Sequence, residues 1–213
     1  MRIATLLEPA SADEDRLCVR RHGDRVIVVV ADGAGGTGGG AQAAHRACDA
    51  LAGLDGNDID WVAALRAVDA GIAGAPDPGW TTAVVVEIRD GQVRGASVGD
   101  SAAFVIDRGE LRELTEEQRR KPLVGSGEAC PVAFGPAPVG AALLVASDGL
   151  VKYIDRAGLR VAMEMAPPEG VAALLRAVRL PGGGLQDDVA IVLAAGVSSA
   201  GSAGPGVGES PLR

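Results

Sequence analysis

Three short apolar runs, each with a carboxylate at one tip, constrain the fold of this chain more than any other feature. Asp32 follows residues 26–31, Asp148 follows residues 142–147, and Asp187 with Asp188 precedes residues 189–194. Short runs of β-branched and small apolar residues are typical of buried strands. The carboxylates are therefore held on rigid elements that can converge. Because hard cations prefer oxygen ligands, this pattern predicts a cation site.

Length and composition indicate one folded domain with a tail. The 213 residues are 47% hydrophobic and 23% charged, a size and balance that a single core supports. From residue 196 onward Gly, Ser, Ala and Pro dominate, and so few large apolar residues cannot offset the entropy of ordering. We therefore predict a folded domain over residues 1–195 and a disordered tail over residues 196–213.

The charge balance limits the classes of partner. The net charge of −8, from 20 basic and 28 acidic residues, leaves no basic surplus to neutralise nucleic-acid phosphates. The apolar stretch at the N-terminus is too short for a signal peptide, and no run of about 18 apolar residues occurs. Three scattered cysteines, Cys18, Cys48 and Cys130, suit a reducing compartment without disulfides. We expect a cytoplasmic monomer with no nucleic-acid and no membrane partner.

The order of predicted elements favours an antiparallel α+β fold over an alternating parallel one. Strands are predicted at residues 3–6, 17–21, 25–31, 82–89, 92–98, 102–107, 110–114 and 189–194, and in the run before Asp148. Helices are predicted at residues 41–54, 59–72 and 168–180. A short helix is predicted near Thr115, where the hydroxyl and the acids after it resemble a capping sequence. Residues 122–140, rich in Gly and Pro, are predicted to form a loop.

The glycines after Asp32 offer a competing interpretation. Residues 33–38 match the dinucleotide fingerprint G-x-G-x-x-G between a strand and a helix. Against it, the chain before them is predicted to be a hairpin and the chain after them an antiparallel meander. Asp-Gly is also a common turn former, so position alone leaves a turn or a metal role open for Asp32 and Asp148. His45 and Cys48, three apart on a predicted helix, could both touch a metal, but ordinary packing is the simpler interpretation.

Six short patterns occur in a fixed order along the chain. They are Asp13-Glu14-Asp15, residues 31–36, residues 81–85, residues 97–101, Ser147-Asp148-Gly149 and Gln186-Asp187-Asp188. Each pattern alone is weak, but six in register over residues 5–195 are specific. The series resembles the type 2C metal-dependent (PPM) Ser/Thr protein phosphatases, in their short single-domain bacterial form.

The resemblance implies a four-layer α/β/β/α sandwich of two antiparallel sheets flanked by helices, with two Mn²⁺ or Mg²⁺ ions at one edge. Matched motif by motif, Asp32 would bridge both ions, Asp15 and the Gly33 carbonyl would bind one, Asp148 and Asp187 would bind the other, and Glu14 would hold metal-bound water. Ligands that are all oxygen independently select Mg²⁺ or Mn²⁺. Two such ions about 4 Å apart lower the pKa of a bridging water and orient the phosphoryl group, so no protein nucleophile is required.

Two departures from the family pattern concern the phosphate and a third ion. Many members have an Arg five positions before the residue matched by Asp15, and this chain has Ala10 there. Asp100 matches a residue that binds a third ion in some members, but the acidic partner expected four residues after Asp148 is Lys152. A cation there opposes a third ion through like-charge repulsion. Lys152 is interpreted either as a contact for the substrate phosphate or as an ordinary surface Lys.

The segment between residues 114 and 135 is shorter than the flap of the family, which helps to set substrate choice. It contains Arg119-Arg120-Lys121. This basic run is interpreted either as a solvated helix face or as an attraction for a phosphorylated, acidic partner.

The activity implied by the resemblance is Mn²⁺- or Mg²⁺-dependent hydrolysis of phosphoserine and phosphothreonine in proteins through a metal-bridging hydroxide, with Asp32 and Glu14 as catalytic residues. The expected partners are phosphorylated protein substrates and a Ser/Thr kinase of the same signal-transduction pathway. One alternative is a stress or sporulation regulator phosphatase that acts on an anti-sigma antagonist. A second is a pseudophosphatase that binds phosphoproteins without turnover, which Ala10 and Lys152 favour and the four retained carboxylates oppose.

Overall fold

The apolar runs form two antiparallel five-stranded sheets in the computed structural model, which describes residues 1–11, 13–35 and 38–196. The strands are β1 (Arg2–Glu8), β2 (Arg16–His22), β3 (Arg25–Ala31), β4 (Ala83–Arg89), β5 (Gln92–Val98), β6 (Ala102–Asp107), β7 (Glu110–Glu113), β8 (Val132–Pro138), β9 (Ala142–Ala146) and β10 (Val189–Ala195). The helices are α1 (Gly40–Ala52), α2 (Trp61–Ala73), α3 (Asp148–Val151), α4 (Arg156–Met163) and α5 (Pro167–Val178). Sheet I has the order β1-β10-β9-β6-β7, and sheet II has the order β2-β3-β4-β5-β8.

The elements stack in four layers. Helices α1 and α2 pack on the outer face of sheet II, and α3, α4 and α5 pack on the outer face of sheet I. The inner faces of the two sheets share a core that includes Val28, Val86, Val145 and Val192. Central strands are therefore covered on both faces, which is why the sequence shows continuous apolar runs instead of alternation. The predicted α/β/β/α sandwich is confirmed.

The register of the strands brings the acidic tips to one end of the sandwich. The terminal pairs are Glu8 with Val189, Arg16 with Ala31, and Ala146 with Ile191. Each predicted metal-binding carboxylate except Asp100 lies within two residues of one of these paired positions. The sheet pairing therefore positions the site.

Helix boundaries follow local sequence signals. Helix α2 begins after Asp60, whose side chain accepts a 3.0 Å hydrogen bond from the N–H of Ala63 and so satisfies one free donor of the first turn. Helix α1 begins after Gly39, which has a φ of 75°, a conformation that favours glycine. No helix within the described ranges has the length and apolar character needed to cross a membrane.

Three local predictions differ from the structure. The helix predicted near Thr115 is only a turn, because the Thr115 hydroxyl faces inward and accepts a 3.2 Å hydrogen bond from the N–H of Ala103 instead of capping a helix. The predicted loop at residues 122–140 contains the edge strand β8, and α3 and α4 occupy segments for which no helix was predicted. The tail predicted over residues 196–213 stays a prediction, since residues 197–213 lie outside the described part.

Candidate metal-binding centre

Three carboxylates from distant parts of the chain meet at the acidic end of the sandwich. Asp32 follows β3, Asp100 lies in the turn between β5 and β6, and Asp148 opens α3 just after β9. One carboxylate oxygen from each residue lies within 4.8 Å of the other two. Converging carboxylate oxygens at this spacing can share a divalent cation.

The backbone of Asp32 is fixed by Thr81 and Thr82, the two residues that directly precede strand β4. Its N–H donates to Oγ1 of Thr82 at 3.0 Å, and its carbonyl accepts from the N–H of Thr82 at 2.8 Å and from Oγ1 of Thr81 at 2.9 Å. Oγ1 of Thr82 also lies 2.7 Å from Oγ of Ser101, the residue after Asp100. These bonds connect the positions of two of the three converging carboxylates.

Gly33 and Gly40 let the chain turn back on itself beside Asp32. A side chain at Gly33 would lie 2.5 Å from the carbonyl carbon of Gly40, and one at Gly40 would lie 2.9 Å from the backbone nitrogen of Ala34. The glycine-rich segment thus packs the start of α1 against the end of β3. Because β3 pairs antiparallel with both β2 and β4, this segment does not have the parallel βαβ setting that the dinucleotide interpretation requires.

Burial of like charges perturbs the carboxyl groups of the centre. Asp15, just before β2, is 2% exposed, and burial followed by the charges of nearby aspartates raises its pKa to about 7. Burial and the charges of Asp15 and Asp148 raise the pKa of Asp32 to about 9. Oδ2 of Asp15 is buried and has no hydrogen-bond partner among the described residues. Each of these observations indicates a site built to receive positive charge.

Asp187 and Glu14 lie near these groups. Burial and the charge of Asp148 raise the pKa of Asp187, and burial and the charges of Asp188 and Asp187 raise the pKa of Glu14. Asp15 and Asp187 are not members of the 4.8 Å triplet, but their charges act on Asp32 within it. The structure therefore brings all the predicted carboxylate ligands to one end of the sandwich, with Asp100 among the three that converge.

Asp188 has a positioning role that the sequence pattern left unassigned. The residue is 5% exposed, and its Oδ1 and Oδ2 accept hydrogen bonds from the N–H groups of Ala10 and Glu14, both at 2.6 Å. Asp188 thus holds the segment between β1 and β2 where it delivers Glu14 and Asp15 to the centre. The adjacent aspartates Asp187 and Asp188 are the only sign of this role in the sequence. The pair alone does not show which of the two binds the segment before β2.

Lys152 brings a cation into the acidic centre. Its Nζ donates to Oδ2 of Asp148, four residues earlier, and lies 3.7 Å from Oδ2 of Asp100. The hydrogen bond with Asp148 is the main cause that raises the pKa of Lys152, so the ammonium stays charged. The ammonium therefore shares two carboxylates with any cation bound there. Its contact with a substrate phosphate stays a prediction.

Other residues singled out from the sequence have structural roles. Ala10 supplies its N–H to Asp188 and has no side chain that can hold a phosphate. His45 is exposed on α1, where its Nε2 lies 3.3 Å from Oδ2 of Asp49. Cys48, one turn further along α1, is buried in the core. Helix packing therefore accounts for the His45 and Cys48 pair.

The donor set of the centre fits a hard divalent cation. Each predicted ligand offers an oxygen atom, from a carboxylate or from the carbonyl of Gly33, and oxygen donors suit Mg²⁺ and Mn²⁺. The ammonium of Lys152 contacts Asp148 and Asp100, whereas burial and neighbouring aspartates raise the pKa of Asp15 and of Asp32, so these two groups would gain from a cation bound beside them.

The sequence matches the family model described as Stage II sporulation protein E (SpoIIE) over residues 22–195. No curated protein matches the sequence.

Several solved structures are similar to this chain. A bacterial serine phosphatase has a TM-score of 0.79 at 18% identity, covering 92% of this chain and 97% of that chain. The serine/threonine phosphatase Stp1 from Staphylococcus aureus has a TM-score of 0.76 at 18% identity, covering 91% of this chain and 94% of that chain. The catalytic domain of the serine/threonine protein phosphatase PstP in complex with two manganese ions has a TM-score of 0.72 at 24% identity, covering 91% of this chain and 97% of that chain. At 18% to 24% identity, these similarities show a shared fold and nothing further.

Proposed function

The chain belongs to the Stage II sporulation protein E (SpoIIE) family, and from this premise we propose that it is a type 2C metal-dependent phosphatase that hydrolyses phosphoserine and phosphothreonine in proteins. The observation that carries the proposal is the convergence of Asp32, Asp100 and Asp148, with carboxylate oxygens within 4.8 Å of one another. The described solved relatives are serine or serine/threonine phosphatases, and one was solved with two manganese ions.

Two divalent ions are proposed as the cofactor. Asp32 would bridge them, with Asp15 and the carbonyl of Gly33 on one side and Asp148 and Asp187 on the other. When bound, such ions lower the pKa of water and neutralise charge on the phosphoryl group. The pKa of Asp32 and that of Asp15 are raised without metal, so ion binding should release protons from these groups.

The protein groups around the ions have separate tasks in this proposal. Glu14 has a raised pKa and is held through its backbone by Asp188, so it is positioned to accept or hold a proton at the edge of the centre. Lys152 balances charge on Asp148 and Asp100, which supports two ions and disfavours a third. Because Ala10 cannot bind phosphate, the substrate phosphate would depend on the ions and on Lys152.

The deciding experiment is phosphate release from an aryl phosphate and from a phosphothreonine peptide, with and without Mn²⁺. We expect turnover that requires metal and falls by several orders of magnitude in Asp32→Asn. Asp90→Asn, in an exposed turn between β4 and β5, is the matched control and should be as active as the unchanged protein. Metal-dependent turnover no greater than that of Asp32→Asn would overturn the proposal.

The family match favours a narrower substrate class as a second candidate. The matched family is described as a sporulation protein, which favours a regulator phosphatase that acts on a phosphorylated anti-sigma antagonist. Comparing kcat/KM for such an antagonist with that for unrelated phosphoproteins tests this choice. In either case the protein would oppose a Ser/Thr kinase of the same cytoplasmic pathway.

A non-hydrolysing phosphoprotein binder is the third candidate. The contact of Lys152 with Asp148 favours it, since the ammonium holds an oxygen that an ion would need. Tight binding of a phosphopeptide together with absence of metal-dependent turnover would support that function instead.

A further inference from the structure

Three consecutive cations form an exposed run beside the candidate centre. We call Arg119, Arg120 and Lys121 the basic strip. All three residues are exposed, and none of their side chains forms an ion pair or hydrogen bond within the described part of the chain. The strip follows two exposed acids, Glu116 and Glu117, and places three adjacent cations together in a protein with a net charge of −8.

Two hydrogen bonds fix the strip next to Asp100. The N–H of Gly99 donates to the carbonyl of Arg119 at 3.0 Å, and Nε2 of Gln118 donates to the carbonyl of Ser101 at 2.8 Å. These bonds lie on the two sides of Asp100, which belongs to the triplet of converging carboxylates. The strip therefore starts at the rim of the centre and is anchored to the turn that carries one of its carboxylates.

Other cations near the centre are already matched with carboxylates. Lys152 is bonded to Asp148, and Arg16 lies 3.0 Å from Asp13. The predicted helix face does not account for the strip either, since residues 118–121 are not helical. Arginine binds carboxylates through paired, directional hydrogen bonds, so an unmatched run of this kind fits acidic side chains.

We propose that the basic strip binds acidic residues that flank the phosphorylated Ser or Thr of the substrate protein. The inference rests on the proposed phosphatase function and names the substrate class. In it, the centre receives the phosphoryl group and the strip receives carboxylates of the neighbouring sequence. The strip would then contribute to substrate binding in a protein that has Ala10 where many members of the family have an Arg.

The test uses matched peptides and matched variants. Two phosphothreonine peptides of equal length carry Glu or Gln at the flanking positions, and an aryl phosphate reports on the centre alone. The strip variant combines Arg119→Gln, Arg120→Gln and Lys121→Gln. The control combines Arg20→Gln, Arg21→Gln and Arg66→Gln, three exposed cations without ion pairs in the described structure, on β2 and α2.

We expect the unchanged protein to prefer the acidic peptide. The strip variant should lower kcat/KM for that peptide by about tenfold, mainly through KM, because three exposed ion pairs each contribute modestly. The kcat/KM of the strip variant for the neutral peptide and for the aryl phosphate should change less than about twofold. The control variant should keep the preference for the acidic peptide. Raising the salt concentration should reduce the preference in the unchanged protein.

Binding gives a readout that does not depend on turnover. Fluorescence anisotropy of the acidic phosphopeptide on the Asp32→Asn protein, with and without the strip substitutions, should show the same loss of about tenfold. Equal affinity of the two proteins for the acidic phosphopeptide would overturn the inference. An equal loss of affinity for the acidic and for the neutral phosphopeptide would also overturn it. If the strip substitutions weaken binding but the unchanged protein hydrolyses neither peptide, the phosphatase proposal is wrong, and the inference that the strip binds acidic flanking residues still holds.

Discussion

Oδ2 of Asp188 accepts a 2.6 Å hydrogen bond from the N–H of Glu14, a residue 174 positions away in the chain. The other carboxylate oxygen of Asp188 binds the N–H of Ala10. Two adjacent aspartates thus have different tasks: Asp187 lies close enough to Asp148 for the charges to interact, and Asp188 fastens the segment before β2. The position of Asp15 in the centre depends on a residue that is not expected to bind metal.

Removal of this contact should weaken metal binding. Asp188→Ala leaves two N–H groups without their acceptor, and hydrogen-bond partners that orient metal ligands are typically worth about 10- to 100-fold in metal affinity. We expect the Kd for Mn²⁺, measured by isothermal titration calorimetry, to rise about tenfold. Asp188→Asn should give a smaller change because its amide keeps one acceptor oxygen.

The matched control for Asp188 is an exposed aspartate outside the centre. Asp58→Ala should leave the Kd for Mn²⁺ unchanged, since Asp58 is exposed and has no ion pair among the described residues. A native thermal stability of Asp188→Ala together with an unaltered Kd would show that the segment keeps its place without this contact.

Lys152 should compete with metal for Asp148. Lys152→Met removes a charge of the same sign as the ion and frees Oδ2 of Asp148, so we expect Mn²⁺ to bind about three- to tenfold more tightly. Arg160→Met is the matched control, because Arg160 forms the same i,i+4 type of pair with Glu164 on α4. Weaker Mn²⁺ binding by Lys152→Met would contradict this competition. An accompanying rise in KM for phosphopeptides would support the predicted phosphate contact.

Much of the fold could be predicted because burial on both faces leaves long apolar runs in the sequence. The strand at residues 25–31 was predicted with the bounds that the structure has. Strand β8 was missed because it is an edge strand that contains Gly135 and Pro136, which weaken any strand pattern. Helix α4 was missed although the sequence contains a start signal, the N-cap residue Asp155. In the structure its side chain accepts a 2.7 Å hydrogen bond from the N–H of Gly158.

The sequence indicates which carboxylates lie at one end of the sandwich but not which groups they contact. Carboxylates at the ends of buried runs indicated Asp32, Asp148 and Asp187 because strand ends are fixed in space. The roles of Asp188 and Lys152 depend on which side chains meet across the tertiary structure, and neither spacing nor periodicity specifies that. The sequence likewise leaves two interpretations of the Arg119 segment open, and the hydrogen bond from the N–H of Gly99 to the Arg119 carbonyl places this segment at the rim of the centre.

Gly33 should be intolerant of any side chain. In Gly33→Ala the added carbon would lie 2.5 Å from the carbonyl carbon of Gly40, and backbone atoms at that distance must shift. Overpacking of this kind costs about 1–3 kcal/mol, which we expect to measure as a lower free energy of unfolding in urea. Gly71→Ala is the control, since its site on α2 is open and Ala favours a helix by up to about 1 kcal/mol. Equal stability of the two variants would show that α1 is not packed against Gly33 in solution.

The metal-free protein should lose stability as pH rises from about 5 to about 8.5, a window above the titration of ordinary carboxyl groups. The folded-state pKa is about 7 for Asp15 and about 9 for Asp32, against 3.8 for a free Asp, so the folded protein binds more protons than the unfolded chain in this window. Stability therefore falls as these groups ionise. We expect the Tm measured in chelator to drop by about 5 °C or more, since 1 kcal/mol corresponds to about 2–4 °C in a chain of this size.

Mn²⁺ should reverse this dependence, because a bound cation favours the ionised carboxylates that burial penalises. With saturating Mn²⁺, the Tm should rise most at the alkaline end of the range. Asp32→Asn removes the carboxyl group with the higher of these two pKa values, so its metal-free Tm should change less with pH than that of the unchanged protein. A metal-free Tm that is constant or increases across the window would show that Asp15 and Asp32 titrate normally, and that the centre holds its charge without a cation.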